Sequence, residues 1–299
     1  MGGTIWVLLK DTVTSFIADD ALSRGASIAF YAVTSLAPLM LILVAIVGFA
    51  FGVEAAMNAL SGQFQALMGK ESAEMLQAAI KSAGQATTGV VATIIGVVML
   101  GVTASGVFGE MQTALNAIWK AEPRGTTVSR LIRARAASLG LVAALGFLMI
   151  MSLAASAAIT ALGGYVNAVI PFGTVILSAV NAVISFTLIA VLFAAIYKIL
   201  PDRRLEWRDV IAGALITSLM FTIGKSLIGW YLGSSAVASA YGAAGALLIV
   251  LLWTYYSAQI FLLGAEFTQV YANRRGSRKY APIRTPEGGT ERDGAPAKT

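Results

Sequence analysis

Lys225 is the one charged residue in an otherwise apolar stretch, SLMFTIGKSLIGWYL, that runs from residue 218 to 232. A cation in such a setting is expected either to bind a partner or substrate, or to extend its stem to the lipid headgroups. Lys225 lies seven residues before the end of the stretch, which is about 10 Å along a helix. A lysine stem covers part of that distance, so the sequence leaves both interpretations open.

Asn181 is the polar residue expected at the same depth, because it lies about seven residues from the outer end of the preceding apolar stretch. No carboxylate is expected at that level, and Glu54 is placed closer to the outer surface. An ammonium beside an amide suits an anionic headgroup or a carboxylate. We therefore predict a substrate-binding site that contains Lys225 and Asn181.

Three further polar residues within apolar stretches are assigned to this predicted site: Gln259, Tyr31 and Ser35. The alternative for each of them is a hydrogen bond to the backbone or to a neighbouring helix. Pro38 follows Tyr31 and Ser35 and is expected to kink its helix, which makes it a candidate hinge.

Glu110 and Glu266 are the carboxylates predicted nearest the inner ends of membrane spans, so they are candidate proton or charge sites. Glu266 lies seven residues after Gln259, which places the two side chains on one face of a helix.

The residue types argue against catalysis. The chain contains no histidine and no cysteine, so the commonest general base and the commonest soft metal ligands are both missing. The acids are scattered and mostly stand beside Lys or Arg, and no G-x-x-x-x-G-K-[ST] run occurs. We expect no catalytic residues, no metal, no cofactor and no nucleic-acid partner. The protein is predicted not to be an enzyme.

The elements that position these residues are predicted to be membrane-spanning helices. The chain is 58% hydrophobic and only 12% charged, whereas soluble domains carry about 25% charged residues. Six stretches are long and apolar enough to cross a bilayer: 29–53, 88–108, 137–162, 174–199, 209–232 and 243–268. The predicted fold is all-α, a polytopic six-transmembrane-helix bundle with amphipathic interfacial helices.

The basic residues predict the orientation of this bundle. Eighteen of them lie in the segments 1–28, 109–136, 198–208 and 269–299, and only Lys70 and Lys81 lie in the link 54–87. Cytoplasmic loops carry the excess of Lys and Arg. We expect a multi-pass protein of the bacterial inner membrane with both termini in the cytoplasm.

Three segments are predicted to flank or interrupt the membrane domain, 29–268. The head, 1–28, has apolar residues at helical spacing and is expected to lie in the inner interface as an amphipathic helix. The outer link 54–87 also contains amphipathic helices, which either cap the bundle or bind an envelope protein. The tail, 269–299, is expected to be disordered, basic and cytoplasmic. Membrane lipids are expected partners, and the Gly-rich faces fit either internal packing or a homo-oligomer.

Four motifs, in order, resemble the BrkB/YihY family of bacterial inner-membrane proteins. They are AFYAVTSLAPLML (29–41), GVFGEMQTALNAIWK (106–120), ILPDRRLEWRDVIAGALI (199–216) and YGAAGALLIVLLWTYYSAQIFLLGAEFTQVYA (241–272). The resemblance covers residues 10 to 272 and implies six helices with both ends in the cytoplasm. Members have carried the label ribonuclease BN, which the absence of histidine and of clustered acids makes a poor fit here.

Two functions remain in competition after these exclusions. The first is a transporter or translocase of a lipid or another amphipathic or anionic solute, which predicts a polar cavity inside the bundle. The alternative is a non-catalytic scaffold or adaptor that recruits an envelope partner, which predicts a closed core. A nuclease ranks well below both.

Overall fold

The computed structural model describes residues 2–52, 106–121, 173–234 and 243–277, together with five isolated positions between 54 and 77. All regular structure in these residues is α-helical. The helices are α1 (Gly2–Ala18), α2 (Ala21–Phe51), α3 (106–118), α4 (Gly173–Ile199), α5 (Trp207–Ser234) and α6 (Ala243–Arg274). The side chains of residues 37–51 in α2 lie outside the described part.

Three of the described helices are long and apolar enough to cross a membrane. They contribute the segments Val175–Ile199, Trp207–Tyr231 and Leu247–Arg274, which match the predicted spans 174–199, 209–232 and 243–268. The predicted span 137–162 and residues 88–105 of the predicted span 88–108 lie outside the described residues. The first predicted span, 29–53, falls within α2 except at its last two residues.

Two described helices extend across predicted domain boundaries. α6 continues to Arg274, six residues past the predicted end of the membrane domain, because Val270 and Ala272 are buried in the bundle and Phe267 stacks on Tyr271. Helix α2, which contains the first predicted span, begins at Ala21, inside the predicted head. Residues 269–274 of the segment predicted as a disordered tail are helical, and residues 278–299 lie outside the described residues.

The turn between α1 and α2 is built around two aspartates. Asp20 has a φ of 53°, a left-handed conformation that Asp adopts more readily than most residues. Its carboxylate accepts a hydrogen bond from Ser23 Oγ at 3.0 Å, in the first turn of α2. Arg24 Nε donates to the Asp19 carbonyl at 2.9 Å. This turn lets α1 fold back against α6, while α2 packs on a different side of α6.

The core of the bundle is centred on the aromatic contact between α4, α5 and α6. The Tyr197 hydroxyl lies 3.1 Å from Thr217 Oγ1 and donates to the Phe261 carbonyl at 2.7 Å. The Tyr197 ring stacks on Phe261 at a centroid distance of 5.4 Å. Tyr197 is completely buried, so both hydrogen bonds offset the cost of burying its hydroxyl.

Helices α5 and α6 approach each other through reciprocal glycine–threonine contacts. A Cβ added at Gly264 would overlap the Thr217 side chain, and one added at Gly213 would overlap Thr268. Each threonine is buried and donates its hydroxyl to the carbonyl four residues earlier, Gly213 and Gly264 respectively. The small residues therefore let the two antiparallel backbones come close, as is usual for membrane helices.

The first helix is amphipathic, as the spacing predicts. Leu8 and Thr12 are buried, whereas Trp6 and Ile17 are 70% and 68% exposed. Leu9 and Val13 continue the exposed stripe. Because α1 packs on α6 through the buried residues, its exposed apolar stripe faces away from the bundle. An interfacial position for α1 in the membrane stays a prediction.

Candidate charged site at one end of the bundle

The links between helices converge at one end of the bundle, which we call the basic end. It comprises the α1–α2 turn (19–24), residues 116–121, the link 198–209 and the end of α6 (273–277). Asn116 ties two of these segments together: its Nδ2 donates to Asp202 Oδ2, and the Asp202 amide donates to Asn116 Oδ1, both at 2.8 Å. Arg203 Nη1 adds a hydrogen bond of 2.8 Å to the Trp119 carbonyl.

A second pair of contacts attaches the end of α6 to the same region. Buried Asp209, in the first turn of α5, accepts a 2.6 Å hydrogen bond from Ser277 Oγ. Arg274 forms an ion pair with Asp11 of α1. The start of α5, the end of α6 and α1 are therefore held together by polar contacts at the basic end.

Lys120 and Asp19 form the ion pair nearest the core of the basic end. Lys120 follows α3 with a φ of 47°, which ends that helix and directs the side chain towards the α1–α2 turn. The Asp19 side chain is only 12% exposed, whereas that of Lys120 is 63% exposed. One partner is thus fixed in the bundle and the other reaches it from the surface.

Glu266 lies behind this ion pair on α6. It is completely buried, and neither carboxyl oxygen has a hydrogen-bond partner among the described residues. Its charged neighbours are the Asp19 carboxyl group, which lies close enough for a carboxyl–carboxyl contact, and the Lys120 ammonium group. Buried carboxyl groups are normally hydrogen-bonded or paired, because leaving them unsatisfied is costly. Glu266, Asp19 and Lys120 together form the strongest candidate site in the described part of the chain.

The predicted pairing of Lys225 with Asn181 does not match the helix register. Phe193 packs edge-on against Phe221 with ring centroids 5.7 Å apart, so Ile189 is level with Lys225. Asn181 lies eight residues before Ile189 in α4, which is about 12 Å along the helix axis. Its side chain is exposed. Lys225 is half-buried, and none of the described residues forms an ion pair or hydrogen bond with it. The depth estimate was wrong because it assumed that both spans end at the same level.

Gln259 contacts α2 and is not directed towards Lys225 on α5. Its Nε2 donates to the Leu22 carbonyl at 3.3 Å, and its amide lies directly against Gly25. Its Oε1 is buried without a hydrogen-bond partner among the residues that the structure describes. The interhelical hydrogen bond that we considered as the alternative is therefore present, while one polar atom of the amide stays unsatisfied.

The other predicted residues are dispersed along α2 and α3. Ser35 is buried and donates to the Ala32 carbonyl at 2.9 Å, while the Tyr31 ring lies against Gly106 of α3. Glu110 is half-buried on α3. Helix α2 continues through Pro38, whose side chain is among those not described. These residues do not gather with Lys225 into one site.

Asp19 and Lys120 are the site residues that sequence reasoning missed. They are 101 positions apart, and no local pattern joins them. The signal that could have found them is their place in the predicted topology. Asp19 and Lys120 each follow a helical stretch on the side predicted to be cytoplasmic, and Glu266 is predicted near the same side. The outer link 54–87, with its predicted partner-binding helices, falls outside the described residues except at five positions.

Comparison with known proteins identifies the family of this chain. The family profile described as Virulence factor BrkB matches residues 12–287. Similar proteins include a UPF0761 membrane protein of Methylibium petroleiphilum, 34% identical over 173 residues, which are 57% of this chain and 40% of that relative. A UPF0761 membrane protein of Pasteurella multocida is 33% identical over 181 residues, which are 60% of this chain and 54% of that relative.

These matches span about half the length of the two curated relatives. No solved structure matches the chain significantly. The relatives are named as membrane proteins, in agreement with the apolar helices of this chain. Because the family profile covers nearly the whole chain and agrees with the four motifs, this multi-pass membrane protein belongs to the Virulence factor BrkB family.

Proposed function

We propose that the protein is a transporter or translocase that moves a lipid or another amphipathic, anionic solute across or within the membrane. The observation that carries the proposal is Glu266, a completely buried acid on a membrane-crossing helix, with two oxygens that no described residue binds. An ionisable residue inside a membrane span is costly and is usually retained for function. A helix that served only to pack or anchor would gain stability from an apolar residue there.

The surroundings of Glu266 support a role in a moving part. Three separately positioned segments meet at it: the α1–α2 turn through Asp19, the end of α3 through Lys120, and α6 itself. Because the Lys120 side chain is 63% exposed, the ion pair between Asp19 and Lys120 links the surface of the basic end to the group around Glu266.

Lys225 retains a separate part in the proposal. It is half-buried on α5, and none of the described acids pairs with it. Its level in the bundle is well above that of Glu266. Lys225 is the group that suits the anionic part of the solute, whereas Glu266 is proposed as the proton or charge site. The basic end is proposed to face the cytoplasm, in agreement with the excess of Lys and Arg in the segments that form it.

The test is transport by the purified protein in liposomes. Wild-type protein is reconstituted with a fluorescent phospholipid, and the fraction that moves between leaflets is measured with a membrane-impermeant quencher, with and without a proton gradient. Glu266→Gln keeps the shape of the side chain but removes its negative charge and its ability to bind and release a proton. We expect this variant to move lipid at least about tenfold more slowly.

Glu54→Gln is the matched control, because Glu54 is exposed and distant from the basic end. We expect it to behave as wild type. Wild-type protein that moves no lipid under either condition would contradict the translocase and leave the scaffold as the better proposal. Equal rates for Glu266→Gln and wild type would remove Glu266 from the mechanism.

A further inference from the structure

A second polar feature of the basic end lies apart from Glu266. It is a cleft of about 490 Å³ between the end of α4 and the start of α5. Its lining includes three cations and two acids: Lys198, Arg203, Arg204, Asp202 and Glu206. The volume fits a phospholipid headgroup.

Two of the three cations in the cleft already have partners that fix their positions. Lys198 Nζ donates to the Leu205 carbonyl and lies 5.1 Å from the centre of the Trp207 ring. Arg203 donates to the Trp119 carbonyl. These partners are neutral groups, so both cations shape the link while keeping their positive charges available to an anion.

Neither acid of the cleft forms an ion pair with the third cation, Arg204. Asp202 is occupied by Asn116 at 2.8 Å, and none of the described residues forms a hydrogen bond or ion pair with Arg204. Arg204 is exposed at the edge of the cleft. Its guanidinium group is therefore available for the paired hydrogen bonds that arginine forms with a phosphate.

The cleft opens where two membrane-crossing segments begin and end. Val175–Ile199 ends at it and Trp207–Tyr231 starts at it. Ile199, Trp207 and Ile211 are 59%, 56% and 48% exposed, so an apolar surface continues from the cleft along the outside of the bundle. A Trp in this position is typical of the membrane–water interface. A ligand here has access to cations at one end and to apolar surface at the other.

We propose that this cleft binds the phosphate of an anionic phospholipid, with Arg204 as the residue that contacts the phosphate and the acyl chains lying along Ile199 and Ile211. Basic pockets between membrane helices on the cytoplasmic side are suited to such headgroups. The inference does not depend on transport, since a bound lipid could equally hold the bundle in place. The same chemistry would accept free phosphate, so the test must separate the two sources.

The test is lipid retention by the full-length protein, measured by native mass spectrometry after release from detergent. The probes are phosphatidylglycerol and phosphatidylcholine of equal chain length, each with and without excess inorganic phosphate. We expect wild-type protein to retain phosphatidylglycerol in preference to phosphatidylcholine, and inorganic phosphate not to displace it. Arg204→Gln is expected to weaken phosphatidylglycerol retention about fivefold to tenfold.

Arg208→Gln is the matched control, because Arg208 is an exposed cation four residues away that does not line the cleft. It removes the same charge and is expected to leave retention within about twofold of wild type. Equal losses in the two variants would show general surface attraction and overturn the site. Equal retention of the two lipids would also overturn it. Complete displacement by inorganic phosphate would assign the cleft to free phosphate instead of lipid.

Discussion

The three charged or ionisable side chains of the candidate site differ in their exposure and in whether they have a hydrogen-bond or ion-pair partner. Asp19 binds Lys120 and is nearly buried, Lys120 is mostly exposed, and Glu266 is buried with neither oxygen bonded by a described residue. Lys120 therefore pairs directly with Asp19, while Glu266 forms no ion pair with Lys120 and has the Asp19 carboxyl group as its polar neighbour. Buried polar groups without partners reduce stability, so Glu266 is expected to oppose folding while serving function.

Replacement of Glu266 by an apolar residue of similar length should therefore stabilise the protein. We expect Glu266→Met to raise the free energy of unfolding by about 1 kcal/mol or more, because it removes the unsatisfied oxygens and keeps the packing volume. Thermal unfolding in detergent, followed by tryptophan fluorescence, measures the change. The exposed-site control, Glu54→Met, should stay within about 0.5 kcal/mol of wild type. A clear loss of stability in Glu266→Met would mean that the carboxylate is paired in the folded protein.

At the scale of helices, the contact between α5 and α6 depends on the absence of two side chains. Gly213 of α5 faces Thr268 of α6, and Gly264 of α6 faces Thr217 of α5. The adjoining contact of α5 with α4, through Thr217 and Tyr197, shares one of these threonines. The position of Glu266, two residues after Gly264, thus depends on how closely the two helices approach.

An added methyl group at this contact should be strongly unfavourable. Gly264→Ala places a Cβ inside the Thr217 side chain, so we expect a loss of about 1–3 kcal/mol, the range typical of overpacking. Gly109→Ala is the control, because a Cβ at Gly109 meets nothing within 4 Å, and it is expected to be neutral or slightly stabilising. The same thermal unfolding assay compares the two.

A second-site change tests the cause. Thr217→Ala removes the two outer side-chain atoms that the new methyl group at position 264 would strike. The loss in the free energy of unfolding of the double variant should therefore be smaller than the sum of the losses in the two single variants. Additive losses in this cycle would show that the cost of Gly264→Ala does not come from Oγ1 and Cγ2 of Thr217, since the Cβ atom of residue 217 stays 2.8 Å from the added Cβ in either case.

At the scale of the whole molecule, the described helices α2 to α6 each have one end at the basic end. α2 starts there, α3 ends there, α4 ends there, α5 starts there and α6 ends there, as the contacts among Asp19, Lys120, Asp202 and Asp209 require. The chain thus leaves the basic end after residue 121 and is next described at Gly173. Because α4 has 27 residues, a length of about 40 Å, Gly173 lies at the opposite end. We therefore still predict that residues 137–162 cross the membrane.

The predicted orientation can be tested with single cysteines, since the chain contains none. We expect Lys70→Cys to react with a membrane-impermeant maleimide in spheroplasts, because the link 54–87 is predicted to lie outside. Thr126→Cys and Lys279→Cys should react only in inverted membrane vesicles, because the basic segments are predicted to be cytoplasmic. Labelling of positions 70 and 279 from the same side would refute the six-span topology.

The sequence by itself determined the membrane class, the helical fold, the family and three of the spans, because these depend on local composition and short motifs. It also singled out Glu266, since a carboxylate in an apolar helix is visible without a structure. The Gly-rich faces were predicted to serve either internal packing or a homo-oligomer, and the partner of an individual glycine such as Gly264 could not be assigned from the sequence.

Only the tertiary structure decided which polar residues meet. Asp19 and Lys120 are brought to Glu266 by the turn at Asp20 and by the end of α3, two backbone features that act over 101 positions of sequence. The register of α4 on α5, set by Tyr197 and Phe193 against Thr217 and Phe221, separates Asn181 from Lys225. Side-chain packing fixes the axial register of two neighbouring helices. The hydropathy of a helix stays the same when that helix is shifted by two turns against its neighbour, so hydropathy cannot predict the register.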